Sequence, residues 1–361
     1  MCRIWSIIWI TLLAASEYIS VIKIITASFT AKQKIVNTLF FVSVYSFSIF
    51  SIFLSLTVNR DKIPEILEKL SEIEQLFSTK KYRSQIYKHT RLCLILQFTV
   101  LISTLLTLSY FGIYIVRRDI TLPNTDEIFF EILPMVFNSV GILYFLNLVL
   151  LLRNKYKCLN SELETSALTP CKVTNSNCCK RNCVTPIDTF RIKPSFNQQR
   201  HYRKSSRRQH FRNLRIIYSQ LHDVALLINS TYGILLLCAT VWVSVSIISG
   251  VNYIIEFKRT AHLFVIETVL WCSFSMSLMT VMTVSCSLAV NECNRSPVIV
   301  QKIMLHDDID SEVMKELEMM FIQFKFMKIG FSACGMFRID LPFLCGIFCA
   351  TLSYLIIVSQ L

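Results

Sequence analysis

The chain has 361 residues, of which 53% are hydrophobic and only 17% are charged. Soluble domains are about 45–50% apolar and about 25% charged, so this composition disfavours a soluble enzyme, a fibrous protein and a disordered chain. Basic residues outnumber acidic ones by 37 to 24, and an apolar chain must hold that excess in specific loops.

Apolar stretches long enough to cross a membrane recur along the whole chain. A spanning helix needs about 20 mostly apolar residues, and it satisfies its own backbone hydrogen bonds in lipid. Met1–Ser16 also resembles a signal peptide, but the apolar run resumes after Glu17 and favours a retained first helix. The sequence therefore predicts an all-α polytopic membrane protein with seven spans, at residues 4–28, 35–58, 92–116, 128–152, 224–255, 263–290 and 341–361.

Basic residues lie mostly on one side of the predicted spans. The loops 59–91, 153–217 and 291–328, together with Arg3, hold 29 Lys and Arg residues, whereas the opposite side holds six. Because cytoplasmic loops carry the basic excess, we expect a cytoplasmic N-terminus and an extracellular C-terminus. G-protein-coupled receptors also have seven spans but in the opposite orientation, so the predicted orientation argues against that class.

Two inner segments are predicted to be amphipathic helices. Apolar residues recur every three or four positions in 61–90 and in 309–328, with charged residues on the other face. Such helices lie on lipid or pack against partners, and we favour packing because both extend from neighbouring spans. The chain thus divides into 1–152 with spans one to four, a basic loop at 153–217, and 218–361 with the remaining spans.

The loop 153–217 is basic and is expected to be partly disordered. Its net charge is +12, and its middle, 165–210, is polar and shows no sustained periodicity. The densest basic part is Arg200–Arg215. At a membrane, anionic lipid headgroups rather than nucleic acid are the expected partner of such a segment, and a solvated topology signal is the alternative.

No catalytic or metal-binding pattern is present in the sequence. Zinc-protease, nucleophile-elbow and phosphate-loop motifs are missing, and the six histidines are scattered. Four cysteines are clustered with a spacing that suits zinc poorly: Cys171, Cys178, Cys179 and Cys183. We therefore expect neither an enzyme nor a cofactor or metal.

Polar residues in the outer halves of spans three to six indicate a small-molecule site. Ionisable residues inside spans are functional candidates, and a few hydrogen-bonding groups among aromatic walls suit a ligand pocket. An interfacial aromatic belt is the alternative for any single residue. The candidate ligand-binding residues are Tyr110, Tyr114, Asn138, Asn252, Tyr253, Glu267 and Trp271.

The last span is predicted to be broken. Arg338, Asp340 and Pro342 interrupt the apolar pattern, so span seven should split into a part that ends near Arg338 and a spanning helix at 341–361. This helix ends in an amide, Gln360, which suits a water-filled lumen or a symmetry mate better than lipid. The residues of this helix that share one face by spacing are Ser353, Ile357, Gln360 and Leu361.

The C-terminal stretch Ser353–Leu361 resembles the signature of insect gustatory receptors, which reads Thr-Tyr, five hydrophobic residues, then Gln-Phe. Here Ser353 stands for Thr, Ser359 interrupts the hydrophobic residues and Leu361 stands for Phe. Phe331–Asp340 and Leu151–Leu163 look like the family's stretches before its last helix and at the inner end of span four.

This resemblance implies a ligand-gated, non-selective cation channel in the plasma membrane of sensory neurons. Four identical or related subunits would surround one pore, with the last helix lining it and cytoplasmic helices anchoring the subunits. Ile357 and Gln360 would lie at the constriction, together with Ser353 and Leu361, and it could close by dewetting. The positions that belong to the packing signature are Tyr354 and Asp340.

The expected ligand is a small tastant. Sugar receptors of this family have Glu after the signature Tyr, whereas Leu355 stands at that position here. A bitter or other plant-derived compound is therefore expected, from the size of that subgroup and not from any residue. The alternatives are a metabotropic seven-span receptor and a small-molecule transporter, of which the latter lacks an evident inverted repeat.

Overall fold

The computed structural model is almost entirely helical. The residues that it describes are 2–26, 31–77, separate helical positions between 91 and 110, 125–168, 196–257, 262–305 and 309–360. Its helices are α1 (Cys2–Thr26), α2 (Ala31–Leu56), α3 (Val58–Leu76), α4 (Thr125–Leu168), α5 (Phe196–Phe257), α6 (His262–Met304), α7 (Ser311–Phe326) and α8 (Leu341–Gln360). Between α7 and α8 lies a hairpin of β1 (Ser332–Ala333) and β2 (Phe337–Arg338).

Most predicted spans coincide with described helices. Helices α1, α2, α4, α5 and α6 each contain a stretch long and apolar enough to cross a membrane, and α8 adds the shorter apolar stretch Leu341–Ile357. Predicted span three lies mostly outside the described residues, and the positions of it that are described are helical. The described helices therefore fit the predicted spans on either side of span three.

Three helices are much longer than a bilayer is thick. Helices α4, α5 and α6 have 44, 62 and 43 residues. At about 1.5 Å per residue, α5 is about 93 Å long, whereas the hydrocarbon core is about 30 Å thick. The helices therefore continue beyond the predicted spans as a bundle on the side where the sequence predicts the cytoplasm, and we call it the intracellular bundle after that prediction.

The predicted disorder of 165–210 was wrong at both ends of that segment. Helix α4 continues to Leu168, and α5 begins at Phe196. Phe211, Leu214 and Tyr218 form an apolar face in the N-terminal part of α5. They are spaced three and four residues apart and are fully buried, as expected for a packed helix. Basic residues between them occupy the other side of the helix and obscured this pattern in the sequence.

The predicted amphipathic helices pack into this intracellular bundle. Helix α3 buries Ile66, Leu70 and Ile73, and it contacts α2 and α5. Helix α7 packs against α5 and α6. Its buried side chains are Val313, Glu316, Leu317, Met320 and Phe324. The described parts of these apolar stripes therefore pack against neighbouring helices.

Polar contacts fix α7 against α5. The Tyr218 ring stacks on Phe324 with centroids 3.7 Å apart, and its hydroxyl donates to the Met327 carbonyl at 2.9 Å. The Arg215 guanidinium donates to the carboxylate of Glu316 at 2.8 Å, and Glu316 is buried. Because a buried carboxylate is costly without a partner, this ion pair fixes which face of α7 meets α5.

The break before the last helix is a β-hairpin. The prediction placed the break correctly, near Arg338, but the part upstream of it is not a helix. The Met336 amide donates to the Ala333 carbonyl at 2.9 Å, and Cys334 and Gly335 both have positive φ, at 52° and 75°. Two consecutive residues with positive φ make a type I′ turn, which joins antiparallel strands tightly and ends a helical path.

The hairpin is attached to the middle of α5. The side-chain oxygen of Asn229, Oδ1, accepts from the Ser332 backbone amide at 2.7 Å. The side-chain nitrogen, Nδ2, donates to the Ser332 hydroxyl at 3.3 Å. One turn later lies Gly233, where an added Cβ would stand 3.2 Å from the Cys334 amide nitrogen. The small residue lets the hairpin backbone approach α5 closely, and this sets where α8 begins.

Replacing Asn229 with Ala removes both side-chain bonds to Ser332 and should lower the free energy of unfolding by about 1–3 kcal/mol. The measurement is thermal unfolding of the purified receptor in detergent, followed by size-exclusion chromatography. Ser230→Ala is the matched control, because Ser230 is exposed and, among the described residues, its hydroxyl donates to the Leu227 carbonyl of its own helix. Equal melting temperatures for the two variants would contradict the attachment.

Candidate functional site

Helix α8 starts from a capped N-terminus. The Asp340 carboxylate accepts from the Phe343 amide at 3.0 Å, and the Asp340 carbonyl accepts from the Leu344 amide. A side-chain oxygen at this position satisfies an amide that the helix itself leaves without a partner. Asp340, predicted as part of the packing signature, thus fixes the first turn of α8 directly after the hairpin.

One face of α8 packs against α5 and α6. The side chains on this face recur three or four residues apart and are at least half-buried, at Phe343, Leu344, Ile347, Thr351 and Tyr354. Near the end of the helix, the Asn252 amide donates to the Tyr354 hydroxyl at 2.7 Å. The predicted signature tyrosine therefore ties α8 to the upper part of α5.

The other faces of α8 are uncovered in the single chain. Leu352, Ile356 and Ile357 are 53–59% exposed, and Ser353 is exposed as well. Gln360 is the last residue of the helix. It follows Ile356 by four positions and Ser353 by seven. The side chain of Gln360 and all of Leu361 lie outside what the structure describes. An apolar helix held along one face leaves room for lipid or further subunits on the others.

A cavity of about 130 Å³ lies between α2, α5 and α6, at their predicted extracellular ends. We call it the outer cavity. The residues that line it are Phe40, Phe41, Ser246, Ser249, Gly250, Tyr253, Glu267, Thr268 and Trp271. Its walls are aromatic, with the Phe40 and Trp271 ring centroids 5.8 Å apart.

Several polar groups of the outer cavity have no hydrogen-bond partner among the described residues. These are the buried hydroxyls of Ser246 and Ser249 and the buried indole nitrogen of Trp271. The half-buried Glu267 carboxylate forms no ion pair with any described cation. Unpaired buried groups cost free energy, so an incoming molecule that binds them gains affinity.

Three of the predicted ligand-binding residues meet in the outer cavity, namely Tyr253, Glu267 and Trp271. Asn252, one residue before Tyr253, instead bonds to Tyr354. Asn138 is fully buried between α2 and α4, where it accepts from the Ser48 hydroxyl at 2.9 Å. These placements separate the predicted set into a cavity group and a group that joins helices.

Of the two tyrosines predicted on span three, only Tyr110 is described, and it does not line this cavity. Tyr110 is helical and 66% exposed in the single chain, and Tyr114 lies outside the described residues. Sequence reasoning also missed the small residues Ser246, Ser249 and Gly250. A run of small residues in an otherwise apolar span was the available signal, because small side chains create space between helices.

The basic segment of α5 is partly engaged within the chain. Arg208 pairs with Glu312 at 3.1 Å, Arg215 pairs with Glu316, and the Arg207 guanidinium lies 5.9 Å from the Phe211 ring centroid. Two of the arginines that were predicted to bind lipid headgroups therefore form ion pairs with α7 instead. The cysteine cluster at 171–183 lies outside the described residues.

The structure is similar to solved insect receptors. It matches the insect olfactory receptor OR5 from Machilis hrabei in complex with eugenol with a TM-score of 0.70 and 14% identity, over 99% of this chain and 89% of that chain. A further structure of that receptor gives a TM-score of 0.68 and 14% identity, over 97% and 88%. This likeness confirms the predicted all-α, seven-span membrane fold, whereas the orientation of the termini stays a prediction.

The sequence itself matches one family over its whole length. No curated protein is similar enough to match. The family described as 7tm Chemosensory receptor matches residues 1–361. The chain therefore belongs to this family of chemosensory receptors, which makes it a multi-pass membrane receptor rather than an enzyme.

Proposed function

We propose that the protein is a gustatory receptor that acts as a ligand-gated, non-selective cation channel. The observation that carries this proposal is the way α8 is attached. One face of α8 packs against α5 and α6, whereas its other faces are uncovered in the single chain. A terminal apolar helix of this kind suits a shared pore at the centre of a homo- or hetero-tetramer. The site of action would be the plasma membrane of sensory neurons.

The outer cavity is the proposed ligand site. Its aromatic walls and unpaired polar groups suit a small organic molecule, and the related OR5 receptor was solved with eugenol. The Glu267 carboxylate has no described counter-charge, so ligands that donate a hydrogen bond or carry a positive charge are favoured. Bitter plant compounds that contain a basic nitrogen fit this description.

The link from ligand to pore runs through two adjacent residues of α5. Tyr253 lines the outer cavity, and Asn252 donates to Tyr354 on α8. A ligand that binds more tightly when this part of α5 is displaced would shift the population toward the displaced state. The hydrogen bond between Asn252 and Tyr354 then transfers the displacement to α8.

The proposed gate lies near the end of α8. Ser353, Ile357, Gln360 and Leu361 share a helical face by spacing, and the apolar members would close the pore by dewetting. The intracellular bundle, including α7, would anchor neighbouring subunits. Arginines of Arg200–Arg215 that do not pair with α7 would face anionic headgroups at the cytoplasmic surface.

Substituting Glu267 with Gln should weaken activation by basic aromatic agonists and leave neutral analogues of the same shape almost unchanged. Loss of one charge-assisted hydrogen bond of about 1.5–3 kcal/mol corresponds to a rise of about 10- to 150-fold in the half-maximal concentration. Whole-cell currents from the expressed receptor provide the measurement. Glu17→Gln removes a carboxylate from α1 that does not line the cavity, and it is the control. Equal effects of both variants would contradict the site.

Tyr354→Phe keeps the ring but removes the acceptor of the Asn252 bond. The equilibrium constant for opening should fall about fivefold, which corresponds to about 1 kcal/mol for one hydrogen bond. The maximal current at saturating agonist should therefore decrease, measured against surface expression. Because Asn252→Ala breaks the same bond, the double variant should lose no more than either single one, and additive losses would argue against coupling through this contact.

Gln360→Ala and Gln360→Arg test the pore. If Gln360 lies at the constriction, the Arg variant should strongly reduce cation current, because a ring of like charges opposes cations, and the Ala variant should change ion selectivity. Reversal potentials under bi-ionic conditions measure both effects. Thr351→Ala, on the face of α8 that meets α5 and α6, should keep wild-type selectivity. Wild-type permeation in both Gln360 variants would remove this residue from the pore.

A further inference from the structure

A second, larger cavity lies at the opposite ends of the helices from the outer cavity. Its volume is about 530 Å³, and it lies between α1, α2, α3, α4 and α5. We call it the inner cavity. It shares no lining residue with the outer cavity and reaches the predicted cytoplasmic boundary, where α2 ends at Leu56 and α3 begins at Val58.

The inner cavity changes in character along its length. Its deep part is apolar and aromatic, with Phe137 and Val140 from α4 and Leu235 from α5. These residues fall within the predicted spans 128–152 and 224–255, at membrane depth. Trp9 forms a wall from α1, and its ring centroid lies 5.7 Å from that of Phe137. A space walled in this way accepts hydrocarbon, because its apolar side chains offer water no replacement for the hydrogen bonds that it would lose.

The mouth of the inner cavity is positively charged. Arg60, in the first turn of α3, is exposed there and forms no ion pair within the described part of the chain. In contrast, Lys155 and Arg215 of the intracellular bundle each bind a carboxylate at 2.8 Å. Asp61, next to Arg60, does not line the cavity. The guanidinium is thus available for an anionic group at the level of lipid headgroups.

A buried polar group lies further inside. Tyr232 lines the cavity and is 1% exposed, and its hydroxyl has no hydrogen-bond partner among the described residues. An unpaired buried hydroxyl is costly and rare in native structures. An ester or phosphate oxygen of a bound amphiphile would accept from this hydroxyl, so the cavity combines a cation, a donor and an apolar slot.

We propose that the inner cavity is a binding site for an anionic phospholipid of the cytoplasmic leaflet. The phosphate group contacts Arg60, and one acyl chain enters between Trp9, Phe137 and Val140. A free phosphate would leave the apolar part empty, and a neutral lipid would leave the guanidinium unpaired. The cytoplasmic leaflet is the source of anionic lipid, so the proposal rests on the predicted cytoplasmic N-terminus but not on the proposed channel function.

The test compares lipid retention by variants of the full-length receptor. The detergent-purified protein is mixed with phosphatidylserine, phosphatidylcholine or oleate, and bound lipid is counted by native mass spectrometry. The wild type should retain phosphatidylserine over phosphatidylcholine, and Arg60→Gln should reduce this preference by about tenfold, as expected for one charged contact. Lys62→Gln, which removes the same charge from a residue outside the cavity, should keep it.

A second variant tests the acyl slot independently of charge. Val140→Phe adds volume to the apolar part and should reduce retention of phosphatidylserine severalfold, while the melting temperature stays close to that of the wild type. Equal retention by the wild type, Arg60→Gln and Val140→Phe would overturn the site. Displacement of phosphatidylserine by equimolar oleate would overturn the assignment to a phospholipid and identify a fatty-acid site instead.

Discussion

The architecture depends on α5 remaining one continuous helix. It contacts α2, α3, α4, α6 and α7, and it also holds β1 and α8, so the predicted spans and the bundle beyond them share a single axis. The interaction that matters most is the docking of the hairpin at Asn229 and Gly233, because it fixes α8 to that axis.

The two cavities meet α5 at different heights, and the inner one lies level with this docking point. The outer cavity lies beside the upper part of α5, next to Asn252, and the inner cavity reaches the lower part at Tyr232 and Leu235. Tyr232 directly precedes Gly233, at which the hairpin approaches α5. A molecule in either cavity would therefore contact the same helix that positions α8, either at the docking point or nearer the C-terminal end of α5.

Much of this fold follows from patterns that act locally. Uncharged runs predicted the spans, and a three- and four-residue apolar period predicted α3 and α7. The type I′ turn at Cys334–Gly335 was missed because the only cue was one glycine, whereas Pro342 was a strong cue for the break itself. The residues that meet in the outer cavity come from α2, α5 and α6, and packing between distant segments decides whether Asn138 or Glu267 reaches it.

A tilt of α8 about its base would move its far end the most. Helix α8 is capped at Asp340 and joined there to a short, tightly docked hairpin, while its far end is held to α5 by the contact at Tyr354. Its 20 residues extend about 30 Å, so each degree of tilt about the base moves the far end by about 0.5 Å. A tilt of about 2–4° at the hairpin would therefore displace the C-terminal end of α8 by about 1–2 Å.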